Sequence, residues 1–322
     1  MSNILITSAG KRVSLVQIFQ KELKKFFPKG KVFTVDANPM LSAACTASDK
    51  SFLISRLDHP NYINELIEIC KSENVKIVIP TIDTELVLLA ENNDKLISNG
   101  VTPIISSLDF IKKCRNKRKI HLFFKEQSIK AAKEYKKNDY PFPLFIKPID
   151  GSRSNENYVI NSKADLLKKH FDNDDLMFLE YFDAQEYQEY TCDLYYGKDS
   201  ELKCVVPRKR IEVRDGEVTK GKTEKNILVK FINEKLKIIN GARGCLTAQF
   251  FLSRVNNQVI GIEINPRFGG GYPLAYHAGA NYPRWIIKEY LLNQSIEYKS
   301  NWNSELIMLR YDKEIILKVT ND

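Results

Sequence analysis

Glu263 and Asn265 stand two apart in residues 258–272, QVIGIEINPRFGGGY, so on a strand they share one face. Arg267 follows on the turn that Pro266 starts, and Gly269, Gly270 and Gly271 make a loop beyond it. A carboxylate and an amide oxygen beside an arginine suit a hard divalent cation and the phosphates it would neutralise. Asn-Pro also starts ordinary turns and triple glycine makes ordinary loops, so the motif needs support from its neighbours. Gln249, on the preceding apolar segment 246–252, offers it. A three-residue hairpin loop at 256–258 pairs Gln249 with Asn265 and puts it on the face of Glu263, whereas an even loop without a bulge turns it away.

Complementary parts lie upstream. Lys147 ends the apolar segment 141–148, where an ammonium is costly to bury without an anion, although a lysine can also reach out to water. Asp150, Gly151, Ser152, Arg153 and Ser154 follow as a small polar loop able to approach phosphates through backbone N–H groups. Leu179, Glu180, Tyr181 and Phe182 can offer backbone groups and apolar surface to a purine, with Glu189 on the next strand accepting from ribose hydroxyls. Core packing of Tyr181 and Phe182 is the competing reading.

The elements that must position these groups fall into two halves. In the first, segment 3–7 reads as a buried strand, Val16, Phe19, Leu23 and Phe26 as one helical face, 31–36 as a strand, 61–72 as a helix and 76–80 as a strand. Strand, helix, strand in repetition predicts a parallel sheet whose carboxyl edge carries Ser8 to Arg12, Asp36 and Asp83. A dinucleotide site there fails on its loop, which has Gly10 alone where three glycines are needed. Asp36 reads as a loop-edge cap, and Asp83 and Glu85 as caps of the helix beginning beside them. In the second half, 109–127 reads as a basic helix, and 176–182, 189–196, 203–213, 246–252 and 258–264 as strands of mostly antiparallel sheets.

Composition narrows the function classes. The 322 residues carry 49 Lys+Arg against 40 Asp+Glu, a formal charge of +9, with 43% hydrophobic residues, an ordinary globular balance. Apolar runs such as 75–80 and 86–90 fall far short of the ~20 residues of a membrane span. The first residues read as a strand rather than a secretion signal, and the expectation is a cytoplasmic protein. Cys45, Cys70, Cys114, Cys192, Cys204 and Cys245 are scattered singly and the four histidines lack ligand spacing, so neither a zinc site nor a disulfide framework is expected. Between 110 and 147 there are 12 Lys/Arg against Glu126, Glu134 and Asp139. Without interleaved aromatic residues this reads as a solvated helix face with a few phosphate contacts, not a nucleic-acid surface.

Taken in this order, the segments resemble the ATP-grasp superfamily, specifically its carbamoyl-phosphate-synthase-like carboxylate–amine ligases. Glu-Ile-Asn-Pro-Arg with a glutamine 14 residues before the glutamate is the most specific signature, joined by Asp36-Ala37-Asn38-Pro39, Ile79-Pro80-Thr81-Ile82-Asp83 and Asn116-Lys117. The resemblance implies an α/β and α+β chain: a Rossmann-like pre-ATP-grasp domain at 1–108, a linker helix and lid subdomain at 109–183, and an antiparallel catalytic core at 184–322. It implies ATP as nucleotide and Mg²⁺, or Mn²⁺, as metal. Lys117 and Lys147 match the cations on the nucleotide phosphates, with Ser152, Arg153 and Ser154 in the lid loop. Glu180, Tyr181 and Phe182 match the adenine hinge and Glu189 the ribose carboxylate. Gln249, Glu263 and Asn265 match the metal-holding residues, Arg267 the arginine on the γ-phosphate, and Arg208 and Arg210 basic residues near the substrate.

Two departures accompany the match. Arg153 stands where the lid loop usually has a glycine, and the hinge-to-ribose spacing from Glu180 to Glu189 is two residues longer than usual, with Glu186 as the alternative. The implied chemistry needs no side-chain nucleophile. Its partners are a small-molecule carboxylate and an amine, neither nucleic acid nor membrane, and a homodimer is one expected assembly. Carboxyphosphate and carbamate chemistry, or a nucleotide-binding regulatory protein without catalysis, are the alternatives.

Overall fold

A computed structural model describes residues 2–151, 156–214 and 216–317. Strands Lys50–Leu53, Val32–Asp36, Asn3–Thr7, Val75–Pro80 and Thr102–Pro103 lie side by side in that order, and every pairing is parallel. Asn3–Thr7 is buried on both faces, as a central parallel strand must be. Its alternation divides two cores: Ile4 and Ile6 enter one cluster while Leu5 enters another with Phe33, Leu66 and Val78.

The first of these clusters does not belong to the parallel domain alone. Val16, Phe19 and Leu23 of helix Val13–Lys24 meet Phe268, Tyr272, Trp285 and Ile286 from the far end of the chain. A polar clamp reinforces the seam. The buried Glu22 carboxylate accepts from Lys25 at 2.7 Å, Tyr276 at 2.7 Å and Arg284 at 2.9 Å. Burial alone would raise its pKa, but these donors outweigh burial and hold it at about 2.

The basic segment read as one helix is two, Leu108–Arg115 and Lys117–Glu126. Asn116 is the reason: its backbone is extended and its side chain accepts from Lys119 N–H at 3.1 Å, capping the second helix instead of continuing the first. Phe123 and Phe124 of that helix pack into the core of the large sheet. Phe124 comes so close that a Cβ on Gly261 would lie 2.6 Å from its ring, so this strand position needs glycine.

Strands Glu134–Tyr135, Leu176–Glu180, Leu144–Pro148 and Tyr158–Ile160 form an antiparallel lid sheet around a small core of Leu144, Ile146, Ile160, Leu176 and Phe178. The large sheet runs Ile307–Leu309, Glu217–Thr223, Leu202–Arg214, Tyr187–Tyr196, Gly244–Ser253, Val259–Asn265 and Lys130–Ala131. Its pairings are antiparallel except the last. No helix among the described residues is long and apolar enough to cross a membrane. The six cysteines are free, Cys114 half-buried and the rest buried; burial pushes the Cys70 and Cys204 thiols up to about 12.

Candidate active site

The parallel domain, the lid and the large sheet meet around a cavity of about 590 Å³. Strand Val259–Asn265 supplies its floor through an irregularity the sequence does not announce. Leu252 pairs with Val259 and Phe250 with Gly261, a register that would turn Gln249 away from the acidic face. One extra residue, Ile262, then bulges and resets the ladder, so Gln249 pairs with Glu263 and not, as expected, with Asn265. Gln249 donates to Glu263 Oε1 at 3.0 Å and Asn265 donates to the same oxygen at 2.9 Å.

Turning each amide by half a rotation presents its oxygen beside the carboxylate, giving three oxygen donors on one face. That set fits a hard cation such as Mg²⁺, which takes few protein oxygens and completes its shell with water and phosphate. Among the described residues no group of three or more His, Cys, Asp or Glu could hold a metal ion.

The two predicted phosphate lysines line the same cavity. Lys117 opens its helix and donates to the Gly151 carbonyl at 3.3 Å, while its own N–H reaches Ile149 O at 2.8 Å. Lys147 lies in the lid strand, 6% exposed, with no hydrogen bond or ion pair among the described residues. Burial lowers its pKa to about 8, opposed by the Glu263 carboxylate and assisted by Lys117. Ser152, Arg153 and Ser154 lie outside the described residues.

The hinge residues Glu180, Tyr181 and Phe182 all line the cavity, half-buried rather than sealed in a core. Glu180 accepts from Lys133 N–H at 3.2 Å, and its own N–H reaches Lys133 O at 2.9 Å. Phe182 stands 5.0 Å from the Tyr187 ring and 5.4 Å from Phe251, an aromatic wall at this end. Glu189 lines the cavity, whereas Glu186 is exposed in the preceding turn. Burial raises the Glu189 pKa against the pull of Arg210, whose Nε is 3.1 Å away.

The arginines depart most from expectation. Arg208, expected near substrate, is 1% exposed, and its Nε and Nη2 reach Asp193 at 2.5 Å and 3.1 Å. It still forms part of the cavity wall, packed so closely that a Cβ on Gly271 would lie 2.2 Å from its Nη1. Arg210 is tied to Glu189 and to Thr191 Oγ1 at 3.1 Å. Arg267 reaches Asp83 through Nη2 at 2.6 Å and Nε at 3.1 Å. Asp83 therefore does not cap its helix, whose N-cap is Ile82, and Glu85 does not either: it is buried and accepts from Tyr62 at 2.6 Å and Ser8 at 3.0 Å. Asp36 does hold loop backbone, accepting from Gly10 and Asn38 N–H at 3.2 Å each.

Among the residues of the cavity wall that sequence reasoning did not assign are Arg12, His121 and Glu217. Arg12 fell within the loop singled out at the carboxyl edge of the parallel sheet, without a role. His121, one turn after Lys117, carried the signal of helical spacing alone. Burial, then the Lys147 charge, lower its pKa to about 4, so the ring is neutral.

A parallel domain, a small lid and an antiparallel core around one cation-lined cleft define the ATP-grasp architecture. Comparison with known proteins agrees. Residues 4–104 match the PylC-like N-terminal domain, and residues 172–313 match the family described as ATP-grasp in the biosynthetic pathway with Ter operon. The chain has the ATP-grasp fold, and its residues 172–313 match an ATP-grasp family.

Among solved structures, Rhizobium etli pyruvate carboxylase superposes with a TM-score of 0.73 at 14% identity, over 95% of this chain but 30% of that one. The chain thus spans under a third of that enzyme. Staphylococcus aureus N5-carboxyaminoimidazole synthetase, complexed with ADP, gives 0.70 at 16% identity over 92% of this chain and 78% of that one. An L-amino acid ligase from Bacillus licheniformis gives 0.67 at 14% identity over 90% and 74%. No protein of curated function matches.

Proposed function

We propose that this chain is a Mg²⁺- and ATP-dependent ligase that joins a small-molecule carboxylate to an amine through an acyl phosphate. The observation that carries the reading is the convergence of Lys117, Lys147, the Gln249–Glu263–Asn265 face and Arg267 on one cavity. In this reading Glu180, Tyr181 and Phe182 receive adenine, Glu189 the ribose, and the two lysines the phosphates. Mg²⁺, held by Gln249, Glu263 and Asn265 when bound, neutralises phosphate charge.

Arg267 is fixed by Asp83 and keeps N–H groups free for the transferring phosphoryl group. A substrate carboxylate oxygen attacks the γ-phosphorus as its bond to ADP breaks. The amine then attacks the acyl carbon, phosphate leaves and the amine proton passes to solvent. Structural neighbours that include a synthetase complexed with ADP and an L-amino acid ligase support this class of chemistry.

The test is thermal unfolding of the wild type and Glu263→Gln with Mg²⁺, ATP or both. Ligand at a hundred times its dissociation constant adds about 2.7 kcal/mol to the folded state. The expected result is a rise with both together, weakened in the variant, and little with Mg²⁺ alone, because a single carboxylate binds the ion poorly without phosphate. No rise in folded wild type defeats the nucleotide assignment; an equal rise in both proteins defeats the metal assignment.

A further inference from the structure

The glycine loop is surrounded by more arginine than it needs for a phosphoryl group. Three carboxylates approach it, and each is already engaged: Asp83 by Arg267 at 2.6 Å, Asp193 by Arg208 at 2.5 Å, and Glu217 by Arg310 at 2.9 Å and Lys11 at 3.2 Å. Arg12 is the cation left over. It follows the first strand, half-buried in the cavity wall, and its guanidinium makes no hydrogen bond or ion pair among the described residues. It reaches across from the parallel domain to Gly270, where a Cβ would lie 2.6 Å from Nη1. Its surroundings are unfavourable to charge: burial, then Arg267 and Arg310, depress its pKa to about 10 despite Glu217 and Asp83. A guanidinium held in a cavity under these conditions is stabilised by an incoming anion.

Which anion follows from position. Arg267 stands two residues after Asn265 and serves the reacting end, where carboxylate meets phosphate. Arg12 comes from the parallel domain, its guanidinium against Gly270 and within electrostatic reach of Arg267, so that it can hold a second group beside the reacting one. We infer that the acid substrate carries a second anionic group, a carboxylate or a phosphate, which Arg12 binds while the first is activated. The inference rests on the ligase reading and deepens it: the parallel domain selects a dianionic acid.

Matched acids test it. With Mg²⁺ and a non-hydrolysable ATP analogue present, butyrate against succinate, valerate against glutarate, and glycerate against 3-phosphoglycerate are titrated into the wild type, Arg12→Gln and Arg12→Lys, followed by melting temperature. The expected result is at least tenfold tighter binding of one or more dianions than of their monoanionic partners. Arg12→Gln should lose ten- to a hundredfold of that affinity, and Arg12→Lys should keep part of it. Binding of the succinate and glutarate pairs without 3-phosphoglycerate points to a second carboxylate; the converse points to phosphate. If no dianion outbinds its partner, or if Arg12→Gln binds dianions as tightly as the wild type, the inference is overturned while the ligase reading stands. A folded wild type that binds no nucleotide overturns both.

Discussion

The two ends of the cavity treat positive charge in opposite ways. Among the described residues, Lys147 at the lid end is buried with no partner for its ammonium, and the Lys117 ammonium reaches the Gly151 carbonyl alone. At the glycine-loop end Arg208 and Arg267 are each locked to a carboxylate, Asp193 and Asp83. The lysine end stores charge that a ligand must satisfy, at a cost to the empty fold. At the arginine end Arg208 and Arg267 are paired within the chain and so gain fixed geometry, while Arg12 beside them has no such carboxylate among the described residues. In the proposed reading the paired arginines serve aim, and the cations left unpaired, Lys147 and Arg12, serve affinity.

Four experiments bear on this contrast. The largest effect is expected at the arginine end, where Asp193→Leu strands a buried guanidinium and should lower stability by about 3–5 kcal/mol. Denaturant titration checks it, and Asp193→Leu combined with Arg208→Met should recover most of the loss. No recovery in the double variant would mean the pair matters for shape more than charge.

Between the ends, Glu263→Ala should cut ADP production by about 10²–10³-fold with the fold retained, a loss typical of a missing electrostatic group. Near-normal ADP production sinks its assignment. At the lysine end the signs of affinity and stability should part. Lys147→Met should weaken nucleotide binding by about tenfold or more, yet raise the stability of the ligand-free protein by about 1 kcal/mol. A variant losing both would contradict the idea of stored charge.

The smallest effect is a pH dependence. Lys147 titrates near 8 in the empty protein, below its ordinary 10.5. Bound phosphate favours the protonated form, so nucleotide affinity should be full below about pH 8 and fall by up to tenfold per unit above it. Stability runs the other way: between the folded and unfolded pKa values the unfolded chain binds more protons, so the Lys147 contribution rises from about pH 8 towards 10.5. Isothermal titration and unfolding across pH 7 to 10, compared with Lys147→Met, separate the two trends.

Much of this contrast was legible in the sequence, and the remainder has definite physical reasons. Strand Asn3–Thr7 declared itself by its apolar centre Ile4-Leu5-Ile6, Glu263 and Asn265 by the two-residue period of a strand, and Gln249 by its place on the preceding strand. Strand Glu217–Thr223, EVTKGKT, did not, because lysines and a glycine mask its pairing with Leu202–Arg214 and Ile307–Leu309. The Ile262 bulge was invisible because register is decided between strands, not within one. Arg208 looked like a substrate contact because nothing local shows its partner. The register sets Asp193 opposite Val206, which makes Arg208 its diagonal neighbour on the same face. Asp83 and Arg267 meet across 184 positions, beyond any local pattern.

The apolar seam between helix Val13–Lys24 and the far end of the chain also has a consequence for synthesis on the ribosome. Val16, Phe19 and Leu23 emerge early, but their partners Phe268, Trp285 and Trp302 are made only near the end. At 5–20 residues per second the first domain waits on the order of tens of seconds with the apolar side of this helix incompletely covered. During that interval the nascent chain presents an apolar surface open to aggregation.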